Sequence, residues 1–189
     1  ISFSGTDVFY GGVDGRLHHY WYGVLNGING WHHEWLTDWN NNTQNVGGDI
    51  QMPTNVSGKV FYRGADNRLH EYYFANNQWN HIWHTDWNSN NENVGGDIGV
   101  SENGDHVFYR GVDNRLHQYY FDNNQWTHIW HTDWNSYIQN VDGEITVDPD
   151  GTQVFYRGYD GYVHQHYYVG NSIWAHDWVL CYDDLLALH

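Results

Sequence analysis

The sequence predicts an all-β fold, a β-propeller of four four-stranded antiparallel blades with about 47 residues per repeat, and three observations carry that prediction. The tripeptide Val-Phe-Tyr recurs at Val8, Val60, Val107 and Val154, so that successive copies start 52, 47 and 47 residues apart. Residues 60–106 and 107–153 align without a gap and share VFYRG, DNRLH, YYF, NNQW and HIWHTDWNS. The apolar content is aromatic rather than aliphatic, with 12 Trp, 16 Tyr and 7 Phe in 189 residues, and flat rings pack well on pleated sheets.

Each repeat divides into four short strands separated by turn residues, and the second repeat shows them in order. Ile50-Gln51-Met52 makes the innermost strand, which a Pro/Asn/Gly loop stops. Lys59 to Arg63 alternates until Gly64-Ala65-Asp66-Asn67, where Asp and Asn accept the positive φ of a tight hairpin. Leu69 to Phe74 ends at Ala75-Asn76-Asn77, and Trp79 to Trp87 leads into an Asn- and Gly-rich connection ending at Gly96. The first copy carries five extra residues, mostly around Gly23 to Gly30, where a loop tolerates them. Sustained helical periodicity is absent apart from a weak tail, Asp183 to His189. Counted from the innermost strand, the blades are expected at about 1–48, 49–96, 97–143 and 144–189 of a single domain. Their innermost strands open ISFS, IQMP, IGVS and ITVD, small or alternating residues suited to crowding around an axis. A partial ring completed by a second copy, and hence a homo-oligomer, is the alternative to closure within one chain.

Composition narrows the function classes. Seven Lys and Arg stand against 23 Asp and Glu, a formal charge of −16 that argues against nucleic acid or an anionic membrane as partner. The 15 histidines soften that charge below about pH 6, so association is expected to depend on pH. A lone cysteine, Cys181, excludes an internal disulfide framework. No apolar run approaches the roughly 20 residues that cross a bilayer, so membrane insertion is not expected. A start at Ile1, which fits a removed leader or a fragment, and Asn-x-Ser/Thr sequons at Asn41 and Asn55 are compatible with a secreted, extracellular protein.

The pattern VFYRG-x-DN-x-L-H-x-YYF-x-NNQW, as in residues 107–126, resembles the repeats of bacterial fucose-binding propeller lectins of the Photorhabdus type and, more distantly, fungal fucose lectins of the Aleuria type. The resemblance covers all four units. It implies a pocket between blades built from an arginine, a carboxylate and a tryptophan. Carried over position by position, the arginine is Arg63, Arg110 or Arg157, with Gly11 in the first unit. The carboxylate position is Glu71, with His19, Gln118 and Gln165 elsewhere. The tryptophan is Trp79, Trp126 or Trp174, with Trp31 in the first unit. Only the second unit keeps all three residue types.

Read from the residues themselves, Trp-x-His-x-Trp recurs at Trp31/His33/Trp35, Trp79/His81/Trp83, Trp126/His128/Trp130 and Trp174/His176/Trp178, and alternation places each set on one strand face. An indole there serves either as a platform for the apolar C–H face of a pyranose or as filler between sheets. Identity in every unit favours the second role for the first Trp and His of each set, among them His81 and His128. Trp39, Trp87 and Trp134 follow an Asp in Thr-Asp-Trp, where the Asp accepts either sugar hydroxyls or backbone N–H groups of the next turn. The last unit has Cys181-Tyr182 instead, which favours the turn.

The recurring Leu-His histidines lack the spacing of a metal site, and the Asp-Gly and Asp-Asn turns lack a full calcium loop. No resident cofactor is therefore expected, while a cation held by inner-strand carbonyls in a central channel would leave no side-chain signature. No nucleophile elbow, positioned Cys/His pair or phosphate loop appears. The expected function is non-enzymatic, multivalent binding of glycans or glycoproteins, with Trp stacking and Arg, Glu, Gln, Asp and His hydrogen bonds. The alternative is a haemopexin-sized scaffold for a protein, a metal ion or a haem-like cofactor.

Overall fold

The computed structural model describes residues 2–37, 42–85, 92–132 and 137–181. Among them, four antiparallel meanders form four separate four-stranded sheets. The first holds β1 (Ser2–Ser4), β2 (Asp7–Gly11), β3 (Leu17–Leu25) and β4 (Ile28–Trp35). The second holds β5 (Val46–Gln51), β6 (Lys59–Gly64), β7 (Leu69–Ala75) and β8 (Gln78–Trp83). β9 (Val94–Val100), β10 (His106–Gly111), β11 (Leu116–Asp122) and β12 (Gln125–Trp130) make the third. β13 (Val141–Val147), β14 (Gln153–Gly158), β15 (Tyr162–Gly170) and β16 (Ile173–Cys181) make the fourth. The chain divides into two compact units, Ile1–Ser89 with the first two sheets and Asn90–His189 with the last two.

Local chemistry sets the hairpins. The turns between the third and fourth strands place two residues at positive φ, Asn76 and Asn77 at 54° and 61° and Asn123 and Asn124 at 50° and 62°. Paired positive φ matches the right-handed twist of the strands it joins, and Asn tolerates it. The turn before the third strand is fastened differently. Asp66 Oδ1 accepts from Arg68 N at 3.1 Å and from His70 Nε2 at 2.9 Å, and Asp113 and Asp160 repeat the arrangement with His117 and His164. Gly64 passes beneath this pair, and a Cβ there would lie 2.4 Å from His70 Nε2.

Two strand limits differ from the expectation. β5, β9 and β13 open at Val46, Val94 and Val141, ahead of Ile50, Ile98 and Ile145, so the Gly-rich stretch expected to close a connection is strand. A register shift separates the Val46 and Ile50 pairings, and a Cβ on Gly47 would come within 2.4 Å of Gly64 O. Glycine is what admits this bulge. β8 ends at Trp83 rather than Trp87, with His84 N still donating to Leu69 O.

Alternation builds a core in each unit. Phe9, Leu17, Ile50, Met52, Val60, Tyr62 and Tyr72 pack together in the first, and Phe108, Leu116, Val141, Ile145, Val154 and Tyr156 in the second. Burying each of these side chains contributes roughly 1.5–3 kcal/mol. Among the described residues no helix is long and apolar enough to cross a membrane.

Candidate functional site

Cross-strand pairing sorts each sheet into two faces. On β12, Trp126, His128 and Trp130 pair with Phe121, Tyr119 and His117, and β8 repeats this with Trp79, His81 and Trp83. The opposite face of the third sheet carries His106, Phe108, Gln118, Tyr120 and Ile129. In the second unit this opposite face meets the Trp174 face of the fourth sheet. Trp174 stands edge-on to Phe108 at 5.8 Å and to His131 at 4.4 Å between ring centroids.

Beside that contact lies a cleft of about 360 Å³, lined by His106, Gln118, Tyr120, Thr152, Tyr168 and Trp174 among others. Concave apolar walls with a few convergent polar groups are the usual form of a small-ligand site. Gln118 is fully buried and its amide bonds on both sides, to His106 Nδ1 at 2.7 Å and to His131 Nε2 at 2.8 Å. Burial pushes the His131 imidazole down to about 3, with the neighbouring histidines adding to the effect, so the ring is neutral. Trp174 Nε1 makes no hydrogen bond to another described residue, and it is not shut off from solvent. An indole N–H that is both accessible and unpaired is a donor for a ligand.

The first unit places Trp79 at the corresponding position, and the result is different. Trp79 Nε1 donates to Glu34 Oε1 at 2.8 Å, and the ring lies edge-on to Phe9 and His19. His19 bridges the two acids, with Nδ1 at 2.9 Å from Glu34 Oε1 and Nε2 at 2.8 Å from Asp7 Oδ1. Asp7, His19, Glu34 and Trp79 thus satisfy one another.

The structure places the remaining expected residues as follows. Glu71 is buried and accepts from His84 Nε2 at 2.8 Å, with Lys59 Nζ at 3.6 Å. Arg63 donates to Asn67 Oδ1 and Gly47 O, and Arg110 to Asn114 Oδ1 at 2.9 Å and Gly95 O at 2.8 Å. Arg157 donates to Asp142 O at 2.7 Å. Each arginine thereby ties itself to its own innermost strand, and Arg110 does not line the cleft. Gln165 bonds Gln153 at 2.8 Å. Trp126 lies against Phe121, and Trp31 lies against Tyr22 and is 53% exposed.

His81 and His128 pair with His70 and His117 at 2.9 and 3.0 Å, and burial pushes both down to about 4. Among the described residues no group of three or more His, Cys, Asp or Glu is arranged to hold a metal. Trp39, Trp87 and Trp134 lie outside the described residues. Of the expected set, Gln118 and Trp174 come together in the cleft.

Sequence reasoning missed His106, Tyr120, Ile129 and Tyr168 around the cleft, and Asp7 and Glu34 in the first unit. Their signal is a difference between copies. Position 106 is Asp7, Lys59 or Gln153 in the other repeats, and position 129 is Glu34, Ile82 or Asp177.

Comparison with solved structures supplies the fold. A mutant of the lectin of Aleuria aurantia in complex with α-methyl-L-fucoside aligns with a TM-score of 0.55 at 14% identity, covering 93% of this chain and 56% of the lectin. The same mutant lectin with Fucα1-6GlcNAc aligns at 0.56 and 14%, covering 93% and 57%. The fold is a β-propeller fold. Each sheet is a blade of it, and the chain spans a little over half the length of the lectin it matches. No family model matches the chain, and no curated protein does.

Proposed function

We propose that this protein is a non-enzymatic lectin that binds fucose-like saccharides in the cleft between the third and fourth blades. The observation that carries the reading is the accessible, unpaired Trp174 N–H on the wall of an aromatic cleft, in a fold whose solved counterpart was captured with fucosides. A 6-deoxyhexose presents a methyl group and a C–H face that pack on Trp174, Tyr168 and Tyr120, while its oxygens meet Trp174 Nε1–H and His106. The Asp122 carboxylate at the rim accepts a sugar hydroxyl.

Repeated blades give the protein the means to act on clustered glycans. A second occupied site on the same body raises apparent affinity by roughly 10²–10⁴ when its spacing matches the glycan. We place the protein outside the cell, where such glycans are displayed.

Calorimetric titration with methyl α-L-fucoside tests the reading. Wild type is expected to bind, and Trp174→Ala to bind at least about tenfold more weakly, the loss typical of an aromatic anchor. Undiminished binding by Trp174→Ala, or no binding of fucosides by wild type, contradicts it.

A further inference from the structure

The polar wall of the cleft has a fixed sense of donation, and the repeat reveals it. Glu71 in the second blade stands where Gln118 stands in the third, and His84 stands where His131 does. A carboxylate accepts, so His84 Nε2–H donates to Glu71 Oε2 at 2.8 Å. His131 Nε2 lies at the same 2.8 Å from Gln118 Oε1. With His131 donating, the oxygen of the Gln118 amide points back at it, and the Gln118 NH₂ donates to His106 Nδ1 at 2.7 Å. His106, neutral with Nδ1 accepting, carries its proton on Nε2. That nitrogen has no partner among the described residues, and like Trp174 Nε1 it reaches solvent.

We propose that His106 is the specificity-determining donor of this cleft, held as the Nε2–H tautomer by the chain from His131 through Gln118. Together with Trp174 Nε1–H it selects a neutral saccharide that offers two acceptor oxygens beside an apolar face. This rests on the saccharide reading above. Gln118 and His131 are positioning residues, since both of their bonds run within the chain. Among the described residues no Arg or Lys lines the cleft while Asp122 does, so an acidic sugar finds no cation there.

The chain also sets a pH dependence. A second proton on His106 would sit on Nδ1 and face the Gln118 NH₂, donor against donor. Rotating the amide to relieve this would set its NH₂ against His131 Nε2–H. Among the described residues the titratable groups around His106 are Asp105 ahead of β10, Asp148 after β13, Tyr120 and Asp122 on β11, Tyr168 on β15, and His131 behind Gln118. Burial lowers its affinity for protons, with Asp105 and Asp148 opposing. The imidazole is therefore neutral at and somewhat below pH 6.5, and binding weakens only on further acidification.

Nitrogen-15 NMR of the ligand-free full chain at pH 7.5 reads the tautomer without any sugar. The expected result is a protonated Nε2 and an unprotonated Nδ1 on His106, and a protonated Nδ1 overturns the proposal. Titration with methyl α-L-fucoside between pH 8 and pH 5 supplies the second arm. Wild-type affinity should hold through about pH 6.5 and fall only on further acidification. Gln118→Glu accepts on both oxygens, turning His106 Nδ1 into the donor and its cleft nitrogen into an acceptor. Its affinity should be about tenfold lower at pH 8 and rise on acidification, as His106 gains its second proton.

Parallel pH profiles for the two proteins overturn the proposal. If Gln118→Glu does not fold, the wild-type tautomer and profile decide. The expected tautomer with no glycoside bound at any pH overturns the saccharide reading and the donor role with it, while the hydrogen-bond chain stands.

Discussion

Trp79 and Trp174 occupy the same repeat position, project from the same strand of their blades and meet the same phenylalanine, Phe9 in one unit and Phe108 in the other. Trp79 is tied to Glu34, whereas Trp174 faces Ile129, which cannot accept its N–H. His19 closes a circuit between two carboxylates in the first unit, while Gln118 in the second sits in a neutral chain between two histidines. The repeat fixes where an indole stands. The positions that vary around it decide whether it locks two blades together or leaves its N–H open to the cleft.

The largest expected separation of the two units comes with acid. In the second unit burial pushes His128 down to about 4, His131 to about 3 and His166 to about 2, against His81 at about 4 in the first. An unfolded histidine takes up a proton near pH 6.5, so these groups favour unfolding progressively as pH falls from there toward their folded values. Asp66, Asp113 and Asp160 are held below the ordinary carboxylate range by their histidine and backbone hydrogen bonds, and this stabilisation is lost only at still lower pH. Amide hydrogen exchange at pH 5 should open the second unit before the first. Earlier opening of the first unit would break the comparison.

Swapping the deciding residue sharpens it further. Glu34→Ile strips acceptors from Trp79 Nε1 and His19 Nδ1 and should cost about 1–3 kcal/mol in chemical denaturation, where an unchanged midpoint would contradict the lock. The reciprocal Ile129→Glu offers Trp174 Nε1 a carboxylate within the fold. Fucoside affinity should drop about tenfold with the melting temperature preserved, and retained affinity would argue against the indole N–H as a ligand donor.

How far the fold was readable follows from where the information lies. Hairpins were legible because positive φ at Asn76-Asn77 and the Asp66–His70 fastening are local and recur. The opening of β5 at Val46 was not, because Gly47 and Gly48 read as loop and only their close passage by Gly64 and Arg63 makes them strand. For the site, the shared motif drew attention to repeated residues. Arg63 and Arg110 repeat because each clamps a turn to its own innermost strand. His106 and Ile129 are variable positions beside the repeated Phe108, and no single copy marks them as cleft residues until the fourth blade packs against the third.

The contrast between the two tryptophans is tested most directly by following their indole N–H resonances while methyl α-L-fucoside is added. The Trp174 signal should move with saturation as its N–H gains an acceptor, and the Trp79 signal, already bonded to Glu34, should stay in place. Movement of Trp79 with Trp174 unmoved would contradict the assignment of the saccharide to the cleft between the third and fourth blades.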